Sequence, residues 1–99
     1  QLNNLWWLNI EGNQFPDVPA QIWQLTDLES LFLSHNHLRD LPSEVAQLIN
    51  LEHLHLSDNQ ITDLPTDIGQ LTNLRYLDLS DNDLSALSDD IRSIRRVSN

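Results

Sequence analysis

Residues 51–73 read LEHLHLSDNQITDLPTDIGQLTN, and the segment aligns without gaps on the residues before and after it at a spacing of 23. Four such copies run Leu5–Asp27, Leu28–Asn50, Leu51–Asn73 and Leu74–Arg96, so nearly the whole 99-residue chain is in register. Within residues 51–73, Leu54 and Leu56 alternate as in a strand, whereas Leu64, Ile68 and Leu71 are spaced four and three apart, as on one face of a helical turn. Pro65 stands beside the first of these, where proline suits the start of a helical return. Between the halves lies a column of asparagines, Asn13, Asn36, Asn59 and Asn82, whose amides can bond backbone locally in a turn.

None of these pieces can bury its apolar side alone, so the units must stack. Stacking makes successive strands neighbours in a parallel sheet and merges seven apolar columns into one core. The asparagines then become a ladder that satisfies backbone groups of adjacent turns. One domain is expected over residues 1–99, with 97–99 as a tail. Gln1 and Leu2 match the Gln-Leu pairs at Gln24, Gln47 and Gln70, so residues 1–4 read as the remnant of a preceding repeat. In the fourth copy Ser88 replaces the proline and Ile94 the leucine, and Val97 opens a repeat that does not develop. Decay of this kind suggests a weak C-terminal cap.

The motif LxxLxLxxNxL, present in all four copies with Ile10, Phe15 and Ile61 as conservative replacements, resembles that of the leucine-rich-repeat family. The returns LPSEVAQL and LPTDIGQL are similar to the 23-residue class of intracellular scaffold and bacterial repeat proteins. The resemblance implies an α/β solenoid, a right-handed superhelix. A short parallel sheet would line its concave face, with helical or extended returns on the convex face. It also implies that partners bind on the concave sheet.

Composition narrows function in the same direction. The chain carries 15 acidic residues against five arginines and no lysine, a formal charge of −10, which repels nucleic-acid phosphates and anionic membranes. Arg92, Arg95 and Arg96 form a small basic end on this acidic body. Without cysteine there is no disulfide or thiolate chemistry, and the chain fits a reducing, cytoplasmic setting. No apolar run approaches the ~18 residues of a membrane span, and no signal-peptide pattern opens the chain.

Strand alternation points columns three, five and seven of each repeat away from the core. Column three reads Trp7, Ser30, His53 and Tyr76; column five reads Asn9, Phe32, His55 and Asp78; column seven reads Glu11, Ser34, Ser57 and Ser80. Rings are common on strand surfaces, but here they share adjacent columns on a face with no core role, which favours recognition. The partner-binding set is therefore Trp7, Asn9, Glu11, Ser30, Phe32, His53, His55, Tyr76 and Asp78, with a basic protein partner fitting the acidic rim. Trp6 suits a cover over the first strand, and Trp23 suits packing on the convex side.

Ser57, His55 and Asp78 have the identities of a catalytic triad, but an open sheet supplies neither an oxyanion site nor a dry pocket. His53 and His55 with Asp78, or His35 with Asp58 and Asp81, could be read as metal ligands, yet such spacing is a by-product of the repeat. No enzyme activity, metal or cofactor is expected. An open first strand also invites end-to-end self-association, or membership of a longer array.

Overall fold

The structure, a computed structural model, describes residues 4–84 together with the backbone of 96–98. Five three-residue strands form one parallel sheet in chain order: β1 Trp7–Asn9, β2 Ser30–Phe32, β3 His53–His55, β4 Tyr76–Asp78 and β5 Arg96–Ser98. Register follows the repeat. Leu8, Leu31, Leu54 and Leu77 stand opposite one another from β1 to β4, one 23-residue step apart. The last step differs, because Val97 pairs with Leu77 after only 20 residues. The segment expected as a tail at 97–99 is thus a fifth strand as far as Ser98, with Val97 in the column of the strand-centre leucines. An unpaired β4 edge offers a row of backbone donors and acceptors, and a short β-branched segment can satisfy it without keeping the 23-residue count. Gln1, Leu2, Ser88 and Ile94 lie outside the described residues.

The three described returns are five-residue 3-10 helices, Ala20–Gln24, Ser43–Gln47 and Thr66–Gln70. Each follows an extended proline, Pro19, Pro42 or Pro65. The tight pitch is visible in its hydrogen bonds: Ile68 N–H donates to Pro65 O and Leu71 N–H to Ile68 O, both at 3.1 Å. So short a segment cannot offset the cost of nucleating an α-helix, and β-branched Val45 or Ile68 at its centre adds to that cost.

All seven apolar columns meet between sheet and returns. In the second repeat every one of them, Leu28, Leu31, Leu33, Leu38, Leu41, Val45 and Leu48, is buried. In the first repeat only Ile22 of the seven is buried, and Leu5, Leu8, Ile10, Val18 and Leu25 are packed but partly open. Burial by neighbours explains the gradient, since an interior turn is covered on both sides and β1 on one.

The asparagines tie the turns together. Asn59 Oδ1 accepts from Leu38 N–H at 3.0 Å in the preceding turn. Its amide donates to Leu33 O, Leu56 O and Ser57 O. Asn36 and Asn82 repeat the pattern, whereas the side chain of Asn13 bonds only Ile10 O and Glu11 O of its own turn, and its backbone N–H donates to Asn36 Oδ1. Among the described residues no buried side-chain polar atom is left without a partner.

A second, smaller ladder runs along the last column of the repeat, where Asn50 donates to Thr26 O and Asn73 to Ile49 O. Column eight, beside the first ladder, holds Gly12, His35, Asp58 and Asp81, all with φ between 55° and 73°. The turn therefore needs a left-handed residue at this place, which glycine adopts freely and the other three adopt at a cost.

Candidate partner-binding face

On the sheet face opposite the leucines, the rings of columns three and five come together. Trp7 and Phe32 have centroids 5.5 Å apart, tilted by 50°. Phe32 and His55 stack at 4.2 Å with 9° between their planes, and His55 and Tyr76 follow at 5.1 Å, tilted by 47°. The register accounts for this path. Phe32 and His55 are direct cross-strand partners, so their rings lie flat on one another. Trp7 faces the small Ser30 and reaches diagonally to Phe32, while His55 faces Asp78 and reaches diagonally to Tyr76. The result is one row of four rings crossing β1 to β4. Trp7 is 46% exposed and the other three rings are half-buried.

Other residues of the expected set hold the face rather than open it. Asn9 Oδ1 accepts from Glu11 N–H at 2.8 Å, and Asp78 Oδ1 accepts from Ser80 N–H and, at 2.7 Å, from Ser80 Oγ. Both side chains therefore close the turn that follows their strand. Ser30 Oγ lies 3.3 Å from His53 Nδ1, which occupies two members of the set with each other. Column seven departs from the expected outward orientation: Ser34 is only 1% exposed, and its Oγ accepts from Ser57 N–H and Ser57 Oγ at 2.9 Å. A small hydroxyl next to the turn is drawn inward because a buried backbone donor of the next turn needs an acceptor. Glu11, Ser57 and Ser80 remain half-buried.

The chain as a whole carries a formal charge of −10. Only two ion pairs occur among the described residues, His35 with Asp58 at 2.8 Å and Arg75 with Glu52 at 3.7 Å. Glu11 and Asp78 have no cationic partner among them. The two histidines with displaced pKa values move in opposite directions. The hydrogen bond that the His35 ring N–H donates to Asp58 raises His35 above its ordinary value, helped by the nearby charges of Asp58, Glu11 and Asp81. Burial against its ring neighbours lowers His55, and the carboxylates of Asp78 and Glu11 only partly oppose this.

Ser57, His55 and Asp78 do not form a relay, since the first bonds Ser34, the second stacks on Phe32 and the third bonds Ser80. Among the described residues no three His, Asp or Glu side chains are grouped as metal ligands. Nor is any helix among them long and apolar enough to cross a membrane.

Trp6 is 59% exposed, and its carbonyl accepts from Glu29 and Ser30 N–H. Trp23 is 4% exposed and lines a groove of about 400 Å³ between the first two returns with Val18, Pro42 and Gln47. At the β1 end the core opens in a second hollow of about 260 Å³, lined by apolar residues that include Leu5, Leu8, Phe15 and Ile22.

A family model described as leucine rich repeat matches residues 26–84, more than half of the chain. The chain belongs to the leucine-rich-repeat family. No curated protein matches it closely enough to count as a relative. Among solved structures, a leucine-rich-repeat protein of Leptospira interrogans superposes with a TM-score of 0.90 at 39% identity over 97% of this chain and 26% of that one. An internalin of Listeria monocytogenes gives 0.73 at 29% identity over 86% of this chain and 25% of its own. The leucine-rich repeat domain of APL1B gives 0.82 at 23% identity over 92% and 29%, a likeness of fold. This leucine-rich-repeat chain thus spans about a quarter of the length of the solved proteins it resembles. A leucine-rich-repeat solenoid is a general scaffold for protein interaction, and the family is typically non-enzymatic.

Proposed function

We propose that the chain is a protein-interaction module that holds a segment of another protein on its concave sheet and performs no chemistry of its own. The observation that supports this is the unbroken row Trp7, Phe32, His55 and Tyr76, large rings in mutual contact on a face whose opposite side already buries the core. Aromatic side chains supply much of the energy of protein interfaces, and a row of them on an open sheet has no packing role to fulfil. The acidic rim suits a basic partner. Pull-down with the wild-type chain and with Trp7→Ala and Tyr76→Ala variants tests the reading. Each variant should weaken capture about tenfold or more while leaving the circular dichroism spectrum unchanged. Capture that is indifferent to both substitutions would remove the concave face from the interface.

A second reading is favoured by the apolar hollow at the β1 end, where Leu5, Leu8 and Phe15 and the free edge of β1 could receive another turn of repeat. In that reading the chain is a structural or self-assembling segment. Light scattering over a concentration series separates the two, because end-to-end association raises the molar mass with concentration and a closed monomer does not.

A further inference from the structure

Among the described residues β1 and β5 each have one strand neighbour, and their two free edges face opposite ways along the solenoid. The ladder dictates which backbone groups these edges present, because in a parallel pair alternate residues bond to alternate sides. Trp6 O and Ile10 N–H are spent on β2, so Trp7 and Asn9 turn their N–H and C=O outward. At the other end Tyr76 N–H and Asp78 O are spent on β3. That leaves Leu77 to face Arg96 and Ser98 of β5 and turns the N–H and C=O of Val97 outward.

The residues around these groups match as well. β5 lies against an aromatic residue, a leucine and a short polar residue, Tyr76, Leu77 and Asp78, and β1 has the same order in Trp7, Leu8 and Asn9. β1 has no charge or proline to discourage pairing. Beneath it the apolar hollow of about 260 Å³ opens on the side where each interior turn receives the apolar columns of its predecessor. Charge is complementary too. Residues 1–27 contain Glu11, Asp17 and Asp27 and no arginine or lysine, whereas residues 91–99 contain Arg92, Arg95 and Arg96 and no carboxylate side chain.

We propose that the β1 edge, with the apolar hollow under it, is the docking site for the β5 edge of a second copy of this chain, so that the parallel sheet continues head to tail from copy to copy.

The register of the repeat sets Arg96, Val97 and Ser98 of one copy opposite Trp7, Leu8 and Asn9 of the next. Val97 N–H then donates to Trp7 O, and Asn9 N–H to Val97 O, as in every internal step of the ladder. Val97 comes opposite Leu8 at the hollow. The contact uses different surfaces on the two copies, so it is heterologous, and each addition leaves a fresh edge at either end. A β1-to-β1 contact would instead close at two copies. The opposed charges select the first arrangement, since two acidic first turns repel.

The proposal rests on the self-assembly reading above and is independent of the concave rings. Light scattering of the 99-residue chain over a concentration series at low salt should show a molar mass that climbs past two copies without a plateau. Val97→Pro and Asn9→Pro each remove one outward N–H and leave the bonds of that strand to its own neighbour in place. Each alone should weaken association about tenfold or more, as expected for a hydrogen bond lost at a buried junction. Mixed in equal amounts, the two variants still offer one intact β1 edge and one intact β5 edge, and should form pairs that grow no further. Arg92→Glu, Arg95→Glu and Arg96→Glu together spare the strand bonds and should also weaken association; they carry the test if a proline variant loses its circular dichroism spectrum. A wild-type plateau at two copies overturns head-to-tail pairing and leaves self-assembly standing. So does association that Asn9→Pro abolishes but Val97→Pro and the charge reversal leave unchanged. A chain that stays monomeric at every concentration overturns both.

Discussion

Asn59 and Asn13 occupy the same column and do different work. The Asn59 side chain bonds one backbone N–H and three carbonyls across two turns and is buried, whereas Asn13 is exposed and bonds two carbonyls of its own turn. Removing a partner from buried backbone groups costs about 1–3 kcal/mol for each group left unsatisfied, so Asn59→Ala should lose about 3 kcal/mol or more. Asn13→Ala should lose about 1 kcal/mol or less, since water replaces its amide; urea denaturation of the two variants measures the difference. The histidines provide a pH signature of opposite signs. His35 is raised on folding, so its stabilisation is present in full below the unfolded value near 6.5 and disappears as pH rises through the higher folded value. His55 is lowered, so the stability associated with its neutral ring is present above about 6.5 and is lost as pH falls through the folded value. His55→Phe, which keeps a ring on Phe32, should therefore lose less stability than wild type between pH 7 and 5.5. His35→Asn should lack the gain that wild type shows on acidification from pH 8 to 6.5. Urea midpoints across this range, above most carboxylate titration, report both.

At the scale of the element, the turn after each strand is the most constrained piece of the repeat. Column eight is left-handed in all four copies, yet only Gly12 is a glycine. Asp81→Gly relieves that backbone and should raise stability by up to about 1 kcal/mol, whereas Asp58→Gly gains less because it also removes the bond to His35. Substituting Val at position 81 should be clearly destabilising, since a β-branched residue resists positive φ. The one glycine in the column is the signal from which the turn geometry could have been read before the structure. The alternation within each three-residue strand was legible in full, down to which leucines face inward. The 3-10 pitch of the returns was not, because spacings of four and three fit an α-helical turn as well. Only the available length between strand and turn selects the tighter form.

The solenoid as a whole has an unequal distribution of stability. Its second and third turns are covered on both sides, and its first has a single neighbour and an apolar hollow at its end. Amide exchange should follow this order: Ile10 N–H, which pairs Phe32 O at the sheet's edge, should exchange faster than Leu33 N–H and Leu56 N–H in the interior. Uniform protection from β1 to β4 would overturn this order. Fraying at β1 also bears on the binding face, since it would move Trp7 while leaving the Phe32–His55 stack in place.

By itself the sequence determined the family, the stacking of the turns, the identity of the core columns and the face on which rings gather, because a 23-residue period leaves each of these a single answer per column. Tertiary structure decided what depends on neighbours across strands. It chose that Trp7 meets Phe32 and not its partner Ser30, that Ser34 turns inward to Ser57, and that Asn9 and Asp78 close turns while Glu11 keeps no cation among the described residues. It also set the last strand 20 residues after β4 in place of 23. Columns are a property of one turn, and contacts between side chains are a property of two. Only the packed sheet, with its register and burial, settles the second.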